Sequence, residues 1–92
     1  MYIHHRRQKG YGPHRIQMEL ASRGIPQDMI EHNLNINDNA WFYCVRKAWQ
    51  KRFKGVVPPD LKTRAAQFRF LHYRGFTQDQ IDKLFSSDNE HA

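Results

Sequence analysis

The chain's 92 residues are 39% hydrophobic and 13% aromatic, with 15 Lys+Arg against 9 Asp+Glu for a formal charge of +6 and a pI near 9.8. That length allows one small domain or two very small units sharing a core, and six Phe, four Tyr and two Trp are too many for a disordered chain. The single cysteine, Cys44, excludes an intramolecular disulfide, no apolar run approaches the ~20 residues of a bilayer span, and MYIHHRRQ lacks the apolar segment of a secretory signal, so a reducing, cytoplasmic setting is expected.

Tyr2 and Ile3 supply the apolar side of a first helix that reaches about Lys9. KGYGPHRIQMELASRGI, residues 9–25, then reads as a glycine turn, a proline-started helix and a glycine stop. Gly12 and Pro13 set the entry, Ile16 and Leu20 face inward, and Gly24 stands where a helix wants a left-handed residue, with Arg23 in the negative last turn. Pro26 opens a short third helix with Asp28 in its first turn and Met29, Ile30 and Leu34 as anchors.

NINDNA, residues 35–40, offers Asn37, Asp38 or Asn39 as N-cap of a fourth helix that runs to Phe53. Trp41, Cys44, Val45, Ala48, Trp49 and Phe53 form its apolar stripe, with Cys44 as a small buried hydrophobe, and Lys47, Lys51 and Lys54 occupy another face. Gly55 ends it, and Pro58 and Pro59 stiffen the linker. Asp60 caps a fifth helix reaching about Arg74, with Leu61, Ala65, Phe68 and Leu71 inward, and Gly75 stops it. Thr77 and Gln80 make a capping box for a sixth helix over 78–85, carrying Ile81, Leu84 and Phe85, followed by a polar tail. No stretch reads as a strand.

The segments LASRGIPQDMIEHNL (20–34) and LHYRGFTQDQIDKLF (71–85) match at a constant offset of 51 (75 − 24). Leu20/Leu71, Arg23/Arg74, Gly24/Gly75, Gln27/Gln78, Asp28/Asp79 and Ile30/Ile81 are identical pairs. Such self-similarity marks a supersecondary unit used twice, and units this small must dock side by side to bury a core. The expected fold is therefore all-α, with tandem three-helix repeats: residues 1–36, whose first helix is cut short, residues 37–86, and a tail at 87–92. Arg23 and Arg74, each before a stop glycine, are expected to bond the last carbonyls of their helices.

The positive charge is uneven. Residues 1–23 hold five basic residues against Glu19 alone, and residues 41–64 hold seven against Asp60 alone. Arg6, Arg7, Lys9 and Arg15 crowd the glycine turn, with Tyr11 and Tyr73 as outward aromatic anchors. Arg46, Lys47, Lys51, Arg52 and Lys54 line the fourth helix, and Lys62, Arg64 and Arg69 the fifth. Such sets suit a polyanion or an acidic protein surface, although a share of them simply solvates the chain.

No catalytic constellation accompanies them. His4 and His5 are adjacent without a helical i, i+3 or i+4 partner, GYGP lacks the third glycine and the strand of a phosphate loop, and Cys44 sits on an apolar face. A non-enzymatic binding module is expected, with no metal, no cofactor, no small-molecule substrate and no membrane.

Lys9-Gly10-Tyr11-Gly12-Pro13, Arg15-Ile16, Glu19-Leu20 and Gly24-Ile25, with Phe70-Leu71, Tyr73-Arg74-Gly75-Phe76 and Ile81, closely resemble the RecX family of bacterial regulators. The resemblance covers nearly the whole chain. It implies tandem three-helix repeats that bind the RecA recombinase filament on DNA and restrain its assembly and activity, and hence a role in repair, recombination and the SOS response. In the family another repeat precedes the one that opens here, so the resemblance makes this the C-terminal two-repeat portion. It implies contact with single-stranded or duplex DNA that is weak and salt-sensitive. Two other readings stay open from the residues alone: a sequence-tolerant DNA-binding helical module acting directly on DNA, and a structural oligomerisation module. Against base-specific reading, no helix carries a cluster of Arg, Asn and Gln at its N-terminus.

Overall fold

Six helices and no strand form among the described residues, 2–90, of the computed structural model: α1 (Tyr2–Gln8), α2 (Pro13–Ser22), α3 (Gln27–Asn33), α4 (Ala40–Phe53), α5 (Leu61–Tyr73) and α6 (Gln78–Glu90). The punctuation that predicts them is visible in the backbone. Gly12 is extended and Pro13 takes the first position of α2. The repeated ending of α2 and α5 is the same six-residue hydrogen-bonded motif in both places. Gly24 N donates to Ala21 O and Ile25 N to Leu20 O; Gly75 N donates to His72 O and Phe76 N to Leu71 O. Gly24 and Gly75 sit at φ +85 and +105, the left-handed region that side chains resist. The motif brings the residue after the glycine back over the residue four before it, so the matched pairs Leu20/Leu71 and Ile25/Phe76 are its apolar clasp.

The other caps are equally local. Asp60 Oδ1 accepts from Thr63 N at 2.7 Å, while Thr77 and Gln80 bond reciprocally, Gln80 N to Thr77 Oγ1 at 3.1 Å and Thr77 N to Gln80 Oε1 at 3.0 Å. Of the three candidates before α4, Asn39 holds the N-cap position without a side-chain bond, and Asp38 just ahead of it meets the Ala40 N–H, its Oδ1 accepting at 3.0 Å.

Ile16, Ile30, Leu34, Trp41, Val45, Trp49, Leu71, Phe76, Ile81, Leu84 and Phe85 form one continuous core fed by both units. Helix α4 packs on α5 and α6, and α2 on α3, in a body 42 × 20 × 19 Å. Each large apolar side chain buried this way contributes about 1.5–3 kcal/mol, and the contribution is unequal: three of the eleven come from residues 16–34 and eight from residues 41–85.

Several expectations are corrected. Leu61 is 84% exposed and Ala65 is exposed; the inner face of α5 is Gln67, Phe68 and Leu71. Gln67 is buried because it is doubly bonded, accepting from Trp49 Nε1 at 2.8 Å and donating to Val56 O at 3.2 Å. A polar residue with satisfied partners displaces the apolar stripe that spacing alone favours. Cys44 is half-buried rather than buried. Helix α4 ends at Phe53 as expected, but Lys54 at φ +57 takes the left-handed conformation ahead of Gly55 at φ +75. Helix α6 continues to Glu90 instead of stopping at 85, because no Gly or Pro interrupts it. The last two residues of the expected tail, 91 and 92, lie outside the described residues.

Candidate functional site

The site begins with two glycines from different units. Gly12, at the entrance of α2, lies against Gly75, at the exit of α5: Gly12 N donates to Arg74 O at 2.8 Å and His14 N to Gly75 O at 2.9 Å. The unpaired donors of one helix start are thereby met by the unpaired acceptors of another helix end. The approach leaves no room for side chains. A Cβ on Gly12 would stand 2.4 Å from Gly75 C and Phe76 N, and one on Gly75 would stand 2.5 Å from Arg15 Cβ. Gly24, the counterpart of Gly75 in the first unit, has nothing within 4 Å of such an atom.

Around this junction Arg6 and Arg15 are half-buried and turn to one carboxylate. Arg6 grips Glu19 with two bonds, Nε to Oε1 at 3.0 Å and Nη2 to Oε2 at 2.8 Å, and the Tyr2 hydroxyl donates to the same Oε1 at 2.7 Å. Arg15 Nε reaches Oε2 at 3.5 Å. Partial burial pushes the Glu19 carboxyl up, but the bonds from Arg6 and Tyr2 and the nearby positive charge outweigh it, so the carboxyl sits below its ordinary range. The same carboxylate, by accepting from its hydroxyl, pushes Tyr2 up. Tyr11 is half-buried, with the Arg6, Arg15 and Arg74 guanidinium carbons 3.9, 5.0 and 4.8 Å from its ring centre. It serves the junction from inside.

The arginines of the repeat have a different role from the one expected. Among the described residues, Arg23 lies over Tyr2 at 4.4 Å and Arg74 over Phe70 at 5.2 Å and over Tyr11, so their side chains pack on rings. At the 51-residue offset Tyr2 and Glu19 become Phe53 and Phe70, which meet edge to face at 5.4 Å. The polar pair of one unit is an aromatic pair in the other, each beneath its arginine.

By fixing the turn against α5, the junction sets α1 beside α4 and opens a groove of about 360 Å³ between them. Arg7 and Lys9 border it from the α1 side; Tyr43, Lys47 and Lys51 border it from α4, where spacings of four place them in one row. Gly10, Cys44 and Ala48 are the small residues at its base. A Cβ on Gly10 would reach Ala48 Cβ at 4.0 Å. The adjoining cleft shares Lys9 and Lys51 and adds Arg52, Phe70 and Arg74. No carboxylate lines either part. Arg7 is partly anchored, 4.5 Å over the Trp41 ring and with Nη2 3.8 Å from Cys44 Sγ, while Lys9, Lys47 and Lys51 are exposed. Tyr43 is 76% exposed beside them.

Of the basic residues singled out from sequence, Arg7, Lys9, Lys47, Lys51 and Arg52 therefore converge, although the chain separates them into two segments. Arg6 and Arg15 do not join them, being engaged by Glu19. Arg64 lies 4.7 Å over Phe85, at the far cleft beside Pro58 and Pro59. Lys62 and Arg69 are exposed on α5, Lys54 is exposed past the end of α4, and Arg46 is half-buried on α4, all away from the groove lining. Tyr73 is 73% exposed, with Arg15 at 5.3 Å, in a separate apolar cleft beside Met18. Sequence reasoning missed Tyr43, whose spacing from Lys47 and Lys51 was the available signal, and assigned Arg74 only a structural part. Among the described residues no three His, Cys, Asp or Glu side chains cluster to hold a metal, and no helix is long and apolar enough to cross a membrane.

Residues 1–34 match the family model described as the second three-helix domain of RecX, and residues 44–85 match that of the third. Among curated proteins, the chain is 38% identical over 89 residues to a protein named "Regulatory protein RecX" from Ectopseudomonas mendocina, covering 97% of this chain and 59% of that one. It is 40% identical over 85 residues to a protein of the same name from Pseudomonas entomophila (92% and 55%), and 42% identical over 85 residues to one from Pseudomonas putida (92% and 54%). The chain thus spans somewhat more than half the length of these relatives. No solved structure matches it.

Proposed function

The chain belongs to the RecX family of regulatory proteins, and from that premise we propose that it modulates the RecA recombinase, mainly as an inhibitor, by binding the RecA–DNA filament in the cytoplasm. DNA repair, recombination and the SOS response are the processes it would affect. The units are divided at the 36/37 connector, and they act as one elongated body lying along the filament. The observation that carries this reading is the convergence of Arg7, Lys9, Lys47 and Lys51 on a groove that no carboxylate lines. Such a surface favours encounter with acidic protein and with phosphate, and opposes cationic partners.

The mechanism is occupation, without chemistry of the chain's own. Seated across neighbouring subunits and the DNA they hold, the body hinders subunit addition, strand exchange and ATP turnover. The test is RecA-dependent ATP turnover on single-stranded DNA with the chain added in increasing ratio. The native chain is expected to depress turnover, and the charge-reversed variant Lys47→Glu/Lys51→Glu to depress it much less while melting like the native protein. Equal inhibition by both removes the groove from the mechanism. A direct DNA-binding role is the second reading, favoured by the exposed Tyr43 ring among the cations.

A further inference from the structure

We infer that the cleft between α2 and α5 is the face that meets protein, taking one large apolar side chain of the partner with a carboxylate beside it. The partner, a RecA subunit, comes from the filament reading, on which this assignment rests. What is added is a second contact surface, sharing no lining residue with the basic groove or the cleft that adjoins it.

The junction between the units builds this cleft. On α2, His14, Met18 and Ser22 recur at spacings of four and form one row. His72 and Tyr73, at the end of α5, border the same space of about 590 Å³. Gly75 lines it too, and a Cβ there would stand 2.5 Å from Arg15 Cβ, so a side chain would push α2 away from α5.

The two large side chains of the cleft stand in water. Met18 is 72% exposed and Tyr73 about as much, and neither belongs to the core or to the residues packed against it. Their placement suits an interface. A tyrosine ring has few rotatable bonds and loses little freedom when it anchors a contact, while a flexible thioether moulds itself to what arrives. Arg15 steadies the ring, its guanidinium carbon 5.3 Å from the ring centre.

Charge decides among the occupants. His14, Arg15 and His72 offer N–H donors, and the one carboxylate in the lining, Glu19, is already shared by Arg6, Arg15 and the Tyr2 hydroxyl. A second copy would bring the same donors and a charge of +6 against its own, which opposes pairing through this face. Nucleic acid finds no lysine here, and meets Met18 where a phosphate contact needs a cation. An apolar side chain with an acid next to it satisfies both parts: the apolar group lies between Met18 and Tyr73, and the carboxylate turns to the donors.

The test is surface plasmon resonance on a biotinylated oligonucleotide, coated with RecA in one channel and bare in the other, with the chain passed over both across a salt series. Tyr73→Ala and Met18→Ala are each expected to weaken filament binding about 5- to 30-fold. The factor should be the same at every salt concentration, because an apolar contact is not screened, and bare-DNA binding should be unchanged. Tyr73→Phe should bind as the native chain does. His14→Glu/His72→Glu should weaken filament binding by a factor that shrinks as salt rises. Met29→Ala, which removes an exposed methionine outside the cleft, is the control expected to match the native chain. All these side chains are exposed, and thermal melts confirm that each variant is folded.

Native-like filament binding by both Tyr73→Ala and Met18→Ala overturns the assignment and leaves the regulator reading standing. Equal losses on bare DNA and on the filament also overturn it, as does a native chain that sediments as a dimer and is dissociated by Tyr73→Ala. A native chain that binds no filament at all rejects the regulator reading, and the partner assigned to this cleft with it.

Discussion

Three glycines of this chain make one quantitative test of how its two units are joined, because alanine would fail at each for a different reason. At Gly24, φ is +85 and the new Cβ meets nothing within 4 Å, so the cost is the left-handed backbone alone, about 1–2 kcal/mol. At Gly12, φ is −93, which alanine accepts, but its Cβ would stand 2.4 Å from Gly75 C and Phe76 N. The turn must retreat, disturbing the bonds Gly12 N to Arg74 O and His14 N to Gly75 O, each worth about 1 kcal/mol net, so roughly 2–3 kcal/mol is lost. Gly75 combines both faults, φ +105 and a Cβ 2.6 Å from Arg15 N, for roughly 3–5 kcal/mol. The assay is thermal and urea unfolding followed by circular dichroism. For a chain this size each kcal/mol lowers Tm by about 4–8 °C. The expected order of damage is Gly24→Ala, then Gly12→Ala, then Gly75→Ala. Gly12→Ala at native stability, or Gly24→Ala as damaging as Gly75→Ala, refutes the junction.

Glu19→Gln should cost about 1–2 kcal/mol at pH 7, because it removes the charge that Arg6 pairs with and, with its oxygen kept toward the Tyr2 hydroxyl, sets an amide NH2 against the Arg6 Nη2 and Arg15 Nε donors. The folded carboxyl is held below its ordinary 4.5, so its contribution is complete above that pH and is lost as pH falls through the folded value. Native and variant stabilities should therefore converge in acid, and a gap of constant size down to pH 2 contradicts the assignment. Gln67→Leu should cost about 2–4 kcal/mol, since it leaves the Trp49 indole N–H and Val56 O without their partner. Trp49 fluorescence should report its altered surroundings, and a variant as stable as the native protein removes Gln67 from the core's support.

Much of the fold is written in local chemistry. Proline 13, the Asp60 cap, the Thr77–Gln80 box and the two stop glycines each act within a turn of helix, and a reader of the sequence can place them. The repeated Leu-x-x-Arg-Gly sequence is legible for the same reason, as a helix ending that fixes its own apolar clasp. What sequence spacing does not convey is a partner far along the chain. Gly12 and Gly75 look alike as breakers, yet one is needed for close approach alone and the other for approach and φ together. Gln67 reads as surface until Trp49 and Val56 stand beside it, which is why the apolar face of α5 is rotated from Leu61 and Ala65 toward Gln67. The basic residues show the same limit: charge counts cannot separate Arg6 and Arg15, which share the Glu19 carboxylate, from Lys47 and Lys51, exposed on the groove. Tyr43 escaped notice because it lies outside the apolar stripe, where its exposure is what gives it a use.

The central claim, a regulator that recognises the filament rather than DNA in general, is tested most directly by binding to RecA–single-stranded-DNA filaments and to bare DNA, side by side across a salt series. The account predicts filament binding that persists at salt concentrations where bare-DNA binding has been lost. Equal affinity for both, lost together as salt rises, contradicts it and leaves a general DNA binder.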